Sequence, residues 1–211
     1  MTRIIYPAGG LYNLARMDKL TAPQFDTHRP LPSGLALVRA VLLSPRSFYE
    51  NFSAEGPLKG PAIFVMLVSL FAAVLSMILA AILDASGGID ARPFLIRAVE
   101  AALYVVLSPV LVGAIAAVYL VPVRAFVGKA ASFRHIYRML ASAYSVMVLG
   151  WIPVVQSFAA VYGLVVLMAL GIRSTYRVPG LMAMVTAVIS LVPVSAAGMW
   201  LVVAAARLAS G

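Results

Sequence analysis

The chain has no cysteine, only seven acidic residues and two histidines among its 211 residues. The lack of cysteine removes disulfides, thiolate metal sites and cysteine nucleophiles together. The two histidines, His28 and His135, sit in unrelated contexts, whereas a catalytic zinc site needs three protein ligands. No glycine-rich phosphate cradle with its lysine and hydroxyl residue occurs, and no serine stands in a nucleophile-elbow context. We therefore expect no catalytic residues, no cofactor, no metal, and a protein that is not an enzyme. Charge is scarce as well, at 11% of residues against about 25% in soluble domains. A signal-peptide core is missing from the first 60 residues, where the apolar stretch Leu35 to Leu43 is broken by Arg39, so the first span is expected to be an uncleaved anchor.

What is abundant is apolar surface. Hydrophobic residues make up 63% of the chain, more than a water-soluble fold of this size can cover, since such domains carry about 45–50%. The excess is collected into long runs. Pro61 to Leu83 has no charge and, at ~1.5 Å per residue, reaches ~34 Å, enough for a hydrocarbon core of ~30 Å. Ala101 to Val123 is a second such run, and Gly180 to Ala206 is the last. Between them, Met139 to Ile172 extends about 51 Å if straight, too long for one ordinary crossing, and Gly150, Trp151 and Pro153 mark a turn near its middle. The expected fold is an all-α polytopic bundle with spans at 61–83, 101–123, 136–152, 154–172 and 180–206. Four spans result if 139–172 is a single tilted helix.

Two segments precede this domain of residues 61–206. Residues 1–33, rich in Pro, Gly, Thr and Asp, show no lasting period and read as a flexible tail. Residues 34–60 carry Leu35, Val38, Leu42, Phe48, Tyr49 and Phe52 at three- and four-residue steps, with Ser44 and Pro45 placed as an N-cap and a first helical residue. This amphipathic juxtamembrane segment, two short helices with a bend, lies in the interface or packs under the bundle.

The net charge of +9 falls between and beside the apolar runs, where it sets topology and meets anionic head groups instead of nucleic acid. With five spans, thirteen of the sixteen basic residues fall on the side of the N-terminus and three opposite, which makes that side cytoplasmic. Arg39, Arg46, Lys59, Arg124, Lys129, Arg134, Arg138, Arg173 and Arg177 are the candidate lipid-headgroup contacts, Arg138 by extending its side chain to the surface. Small residues at four-residue steps, Ala72, Ser76 and Ala80, then Gly113 and Ala117, then Ala159 and Gly163, are the candidate helix-packing contacts, within the chain or against a partner helix. Pro109, Pro153 and Pro193 should bend or interrupt helices. Trp151, Trp200 and Tyr137 fall near span ends, as interfacial anchors do. Glu100, nearest of the acids to a span, is expected to pair with Arg97, and Gln156, Ser157 and Tyr162 form the most polar in-span group.

Two stretches carry a resemblance. One is Leu43, Ser44, Pro45, Arg46, Phe48 and Tyr49, followed by Gly56, Pro57, Leu58, Lys59, Gly60 and Pro61. The other is Phe133, Tyr137, Ala141 and Tyr144, then Trp151 to Pro153, and a loop opening with Gly171, Ile172 and Arg173. In this order they resemble the bacterial branch of the Ypt-interacting protein (YIP) family, over residues 40 to 206. The chain departs from the family after Gly171, where Tyr176, Arg177, Val178 and Pro179 intervene. The resemblance implies five spans, a cytoplasmic N-terminus, a plasma or inner membrane location and no catalysis; eukaryotic relatives shape membranes and act with Rab-type GTPases. The expected function is a membrane-organising or scaffold protein, touching lipids and other membrane proteins or itself. The alternative is a permease or channel component for a small or lipidic solute.

Overall fold

Long uncharged runs become long helices because a backbone away from water must satisfy its own polar groups. A computed structural model of the chain describes residues 22–85 and 94–210, and all regular structure among them is helical. Two short helices come first, α1 (Pro30–Leu43) and α2 (Pro45–Glu50). They are followed by α3 (Lys59–Ala85), α4 (Phe94–Val127) and α5 (Phe133–Ala143), the last continuing as a 3-10 helix over Tyr144–Leu149. After a turn, α6 (Pro153–Val161) runs through a π-helical stretch, Tyr162–Leu167, into α7 (Met168–Tyr176), and α8 (Gly180–Ser210) completes the chain. Three helical stretches, Lys59–Asp84, Phe94–Val127 and Pro153–Tyr176, are long and apolar enough to cross a membrane. This fits a membrane protein, as do the large side chains left on outer faces: Phe71, Ile78 and Ile82 on α3, Val106 and Val110 on α4, Leu181 and Val192 on α8.

α5 is the centre of the bundle, with every residue from Ile136 to Ala143 buried. On one side it meets Val65, Tyr119, Met168, Ile172 and Ala187. On the other lies a second cluster of Val41, Phe48, Tyr49, Phe64 and Leu167, contributed largely by the lead-in helices. Those helices thus pack on the bundle with one face, through Leu37, Val41, Phe48 and Tyr49, while Leu31, Leu35 and Leu43 stay exposed. The bend falls at Ser44 with Pro45 opening α2, but the Ser44 side chain makes no capping bond.

Several boundaries differ from the sequence reading. Residues 22–33, given to a flexible tail, are docked: Ala22 N–H donates to the Asn51 carbonyl, Phe25 packs on Phe64 with ring centroids 5.6 Å apart, and Pro30 already opens α1. Residues 1–21 of that tail lie outside the described residues, as do residues 86–93 between the first two long helices. α4 starts at Phe94 and ends at Val127, so Pro109 and Pro122 sit inside a continuous helix. Pro109 cannot donate to the Val105 carbonyl four residues back, and the Ser108 hydroxyl does so instead at 2.9 Å. Pro193 is likewise inside α8, whereas Pro153 opens α6. The π-helical stretch has no counterpart in the sequence reading. Its displaced Leu164 carbonyl accepts a bond from the buried Tyr119 hydroxyl at 2.6 Å.

Candidate functional site

Two regions gather polar groups against this apolar frame. The first lies where the lead-in helices meet α3 and α5. Arg138 belongs to α5, whose buried face leaves its side chain no route to the surface, and it is only 6% exposed. Its Nη1 donates to the Pro57 carbonyl at 2.9 Å, and its Nη2 to Gln24 Oε1 at 3.1 Å and to the Ser53 carbonyl at 3.4 Å. Nε has no partner, and no carboxylate among the described residues forms an ion pair with this guanidinium. A buried charge is tolerated only when well hydrogen-bonded, so Arg138 ties α5 to the stretch before the first long helix. Arg138 therefore departs from the expected headgroup contact: it turns inward to backbone carbonyls.

Gly56 makes room for this arrangement. At φ +123° it holds a backbone conformation that side chains rarely adopt, and a Cβ there would stand 2.8 Å from Arg138 Nη1. A cavity of about 110 Å³ adjoins the guanidinium, lined by Gln24, Phe25, Phe52, Phe64 and Ser142 among others. Beside it Tyr49 sends its hydroxyl to Ser142 Oγ (3.2 Å) and the Met139 carbonyl (3.4 Å). Burial pushes the Tyr49 phenol well above its ordinary value, against a smaller opposing effect of Ser142, so it remains a neutral hydroxyl.

The other eight candidate headgroup residues, Arg39, Arg46, Lys59, Arg124, Lys129, Arg134, Arg173 and Arg177, are all exposed. Contacts draw most of them to one end of the bundle. Arg124 Nε donates to the Ala131 carbonyl at 3.2 Å, joining the end of α4 to the start of α5. The rings of His135 and Tyr176 lie 6.4 Å apart, joining the start of α5 to the end of α7. Arg46, Arg173 and Arg177 line one cavity between α2 and α7.

The second region is a cleft of about 380 Å³ between α3, α4 and the turn near Gly150. Ser76, Arg97, Glu100, Tyr104 and Gln156 line it, together with Ala72 and Ala80. Arg97 forms an ion pair with Asp84 at 2.6 Å and so joins the facing ends of α3 and α4. From the cleft a chain of hydroxyls leads inward: Tyr104 to Tyr144 at 2.6 Å and Tyr144 to Ser69 at 2.9 Å. No local spacing in the sequence points to this arrangement, because it joins three helices distant in sequence.

The candidate packing residues divide. Ala72 is buried at the cleft wall, Ala80 is half-buried, and Ser76 is exposed on the cleft, so this stripe lines the cleft facing α4. Gly113 lies under Tyr137, while Ala117 is exposed, because the inward stripe of α4 runs through Ser108, Val112, Ala116, Tyr119 and Val123. Ala159 and Gly163 are buried, Gly163 against Val146 and the Ala143 carbonyl. Tyr137, expected at the interface, is 5% exposed and donates to the Pro109 carbonyl at 3.3 Å, whereas Trp200 is 69% exposed. Of the polar group on α6 and the π-helical stretch, Gln156 alone reaches the cleft, and Ser157 and Tyr162 are exposed elsewhere. Compared with protein-family models, curated proteins and solved structures, the chain finds no match.

Proposed function

We propose that this chain is a non-enzymatic, five-span membrane protein of the YIP type, with its lead-in helices on the cytoplasmic side, that organises the membrane through lipid contact and helix packing. The observation that carries the reading is the shared placement of exposed cations and apolar faces. Arginines and lysines gather at the end of the bundle that holds α2 and the end of α7, while α3, α4 and α8 present large apolar side chains outward. Such a surface suits anionic head groups beside acyl chains. Two further features support five crossings. α5 with its 3-10 extension reaches roughly 28 Å, because the 3-10 turns rise more per residue. The turn at Gly150 borders the cleft with Arg97, toward the end opposite the basic cluster. The test is reconstitution of the full chain in liposomes containing anionic lipid, with crosslinking in mild detergent. Altered vesicle shape or a defined self-assembly is expected; a strictly monomeric protein that leaves vesicles unchanged overturns the reading.

The cleft favours a second reading, a permease or channel component for a small or lipidic solute. Its polar lining and inward hydroxyl chain supply the hydrogen-bonding groups that such a path needs. Flux in proteoliposomes discriminates, since uptake no greater than in empty vesicles across a broad solute panel discards it.

A further inference from the structure

Among the described residues, three exposed cations share one concavity. Arg46 of α2, Arg173 of α7 and Arg177, which follows it, line a cavity of about 150 Å³ with Tyr49, Glu50, Leu170 and Ser174. Three arginines and a single carboxylate line it, and that carboxylate, Glu50, is held by Arg46 at 2.9 Å with both side chains more than half exposed. An ion pair so wet is weak, and Arg46 remains able to turn to a better anion. Arg173 has a plain reading as a last-turn cation on the α7 dipole. Its guanidinium, however, also lies within 4 Å of the position a Cβ on Gly180 would take, beside the start of α8, where the potential is already positive.

Arg177 is the telling residue. It sits at φ 52°, ψ 37°, and is the one non-glycine with positive φ among the described residues. After a helix C-terminus this is the position that glycine fills without strain. Here the chain keeps a long cation there instead, at the rim of a cavity already rich in positive charge.

From this arrangement we infer that the cavity between α2 and α7 binds a phosphate group, either on an anionic phospholipid or as the free anion. Guanidiniums meet phosphate oxygens in paired, charge-assisted hydrogen bonds. The lipid form deepens the membrane-organising reading and rests on it.

The experiment uses the purified full chain in neutral detergent micelles, titrated with short-chain phosphatidylglycerol and, separately, phosphatidylcholine, with adducts counted by native mass spectrometry. Phosphatidylglycerol is expected to bind more tightly, because choline brings a cation toward the arginines. Arg173→Gln and Arg177→Gly should each weaken phosphatidylglycerol binding roughly tenfold, the loss of about one charge-assisted contact. Arg177→Gly also relieves the backbone, so its thermal midpoint should hold or rise, which separates lost binding from lost folding. The control is Arg29→Gln, an exposed cation before α1 and outside the cavity, which should change affinity by less than about twofold. Equal loss in the control, or no loss in Arg173→Gln and Arg177→Gly, overturns the site in favour of diffuse surface charge. Displacement of phosphatidylglycerol by millimolar inorganic phosphate identifies the free anion as the ligand; persistence identifies the lipid. Since no bilayer is present, this result is independent of whether the protein reshapes vesicles.

Discussion

Gly56 and Arg138 compete for the same volume: the guanidinium fills the space that any side chain at position 56 would need, with Nη1 only 2.8 Å from the site of a Cβ. A Gly56→Ala substitution meets two costs, strain at φ +123° and displacement of Nη1 from the Pro57 carbonyl. Together these should destabilise the protein by about 1–3 kcal/mol. The thermal midpoint in detergent, followed by intrinsic fluorescence, should fall by several degrees. An unchanged midpoint would show that the arginine has another place to go.

Arg138 itself should act more on the docking of the lead-in segment than on insertion. Lysine keeps the charge but loses the planar fork that reaches Pro57, Gln24 and Ser53 at once. Arg138→Lys should cost about 1–3 kcal/mol and expose residues 22–58 to limited proteolysis while membrane fractionation stays normal. If protease protection of that segment is retained, the arginine is not what holds it down.

Much of the frame was legible from charge-free length. Pro61 to Leu83 lies within α3, the turn near Gly150 to Pro153 does divide the long central run, and Ser44 with Pro45 does mark the bend between α1 and α2. Arg138 was not legible, because spacing shows that an arginine stands beside an apolar run but not which way the helix turns it. Of the small-residue pair on α4, Gly113 lies against Tyr137 of α5 while Ala117 faces outward. Gly113 and Ala117 have the small-residue spacing, yet larger Val112, Tyr119 and Val123 face inward, since filling space against α5 outweighs close backbone approach. The hydroxyl chain of Ser69, Tyr144 and Tyr104 depends on three helices meeting, and no local pattern encodes that.

Tyr119 provides a test of the π-helical stretch. Its hydroxyl is the donor to the Leu164 carbonyl at 2.6 Å, at a point where the helix has given up its regular ladder. Tyr119→Phe keeps the ring in the core and removes only that bond, so the expected loss is about 0.5–2 kcal/mol. Faster amide hydrogen exchange should accompany it, confined to residues 162–168. Uniformly faster exchange across the bundle would mean that the bond supports the whole bundle and not the π-helical stretch in particular.

The cleft is the feature on which the two functional readings divide, and exposure alone does not decide whether water or lipid fills it. Ser76, Gln156 and Ala117 are all exposed, but the first two share a wall with Arg97 and Glu100 while Ala117 does not. Charged groups hold water near them, because leaving them dry costs several kcal/mol. The chain has no native cysteine, so single-cysteine variants can be probed without background. Ser76→Cys and Gln156→Cys should react with a membrane-impermeant maleimide added to the side that carries the Asp84–Arg97 pair, and Ala117→Cys should not. Labelling at Gln156 without Ser76 would confine water to the mouth and leave the inner hydroxyls of Tyr104, Tyr144 and Ser69 as helix cement, which favours the scaffold reading. Labelling at both, blocked by a solute that is also taken up in proteoliposomes, would make the hydroxyl chain part of a path. A reactive Ala117→Cys would sink the assignment of lipid to the outer face of α4, and with it the orientation from which both readings begin.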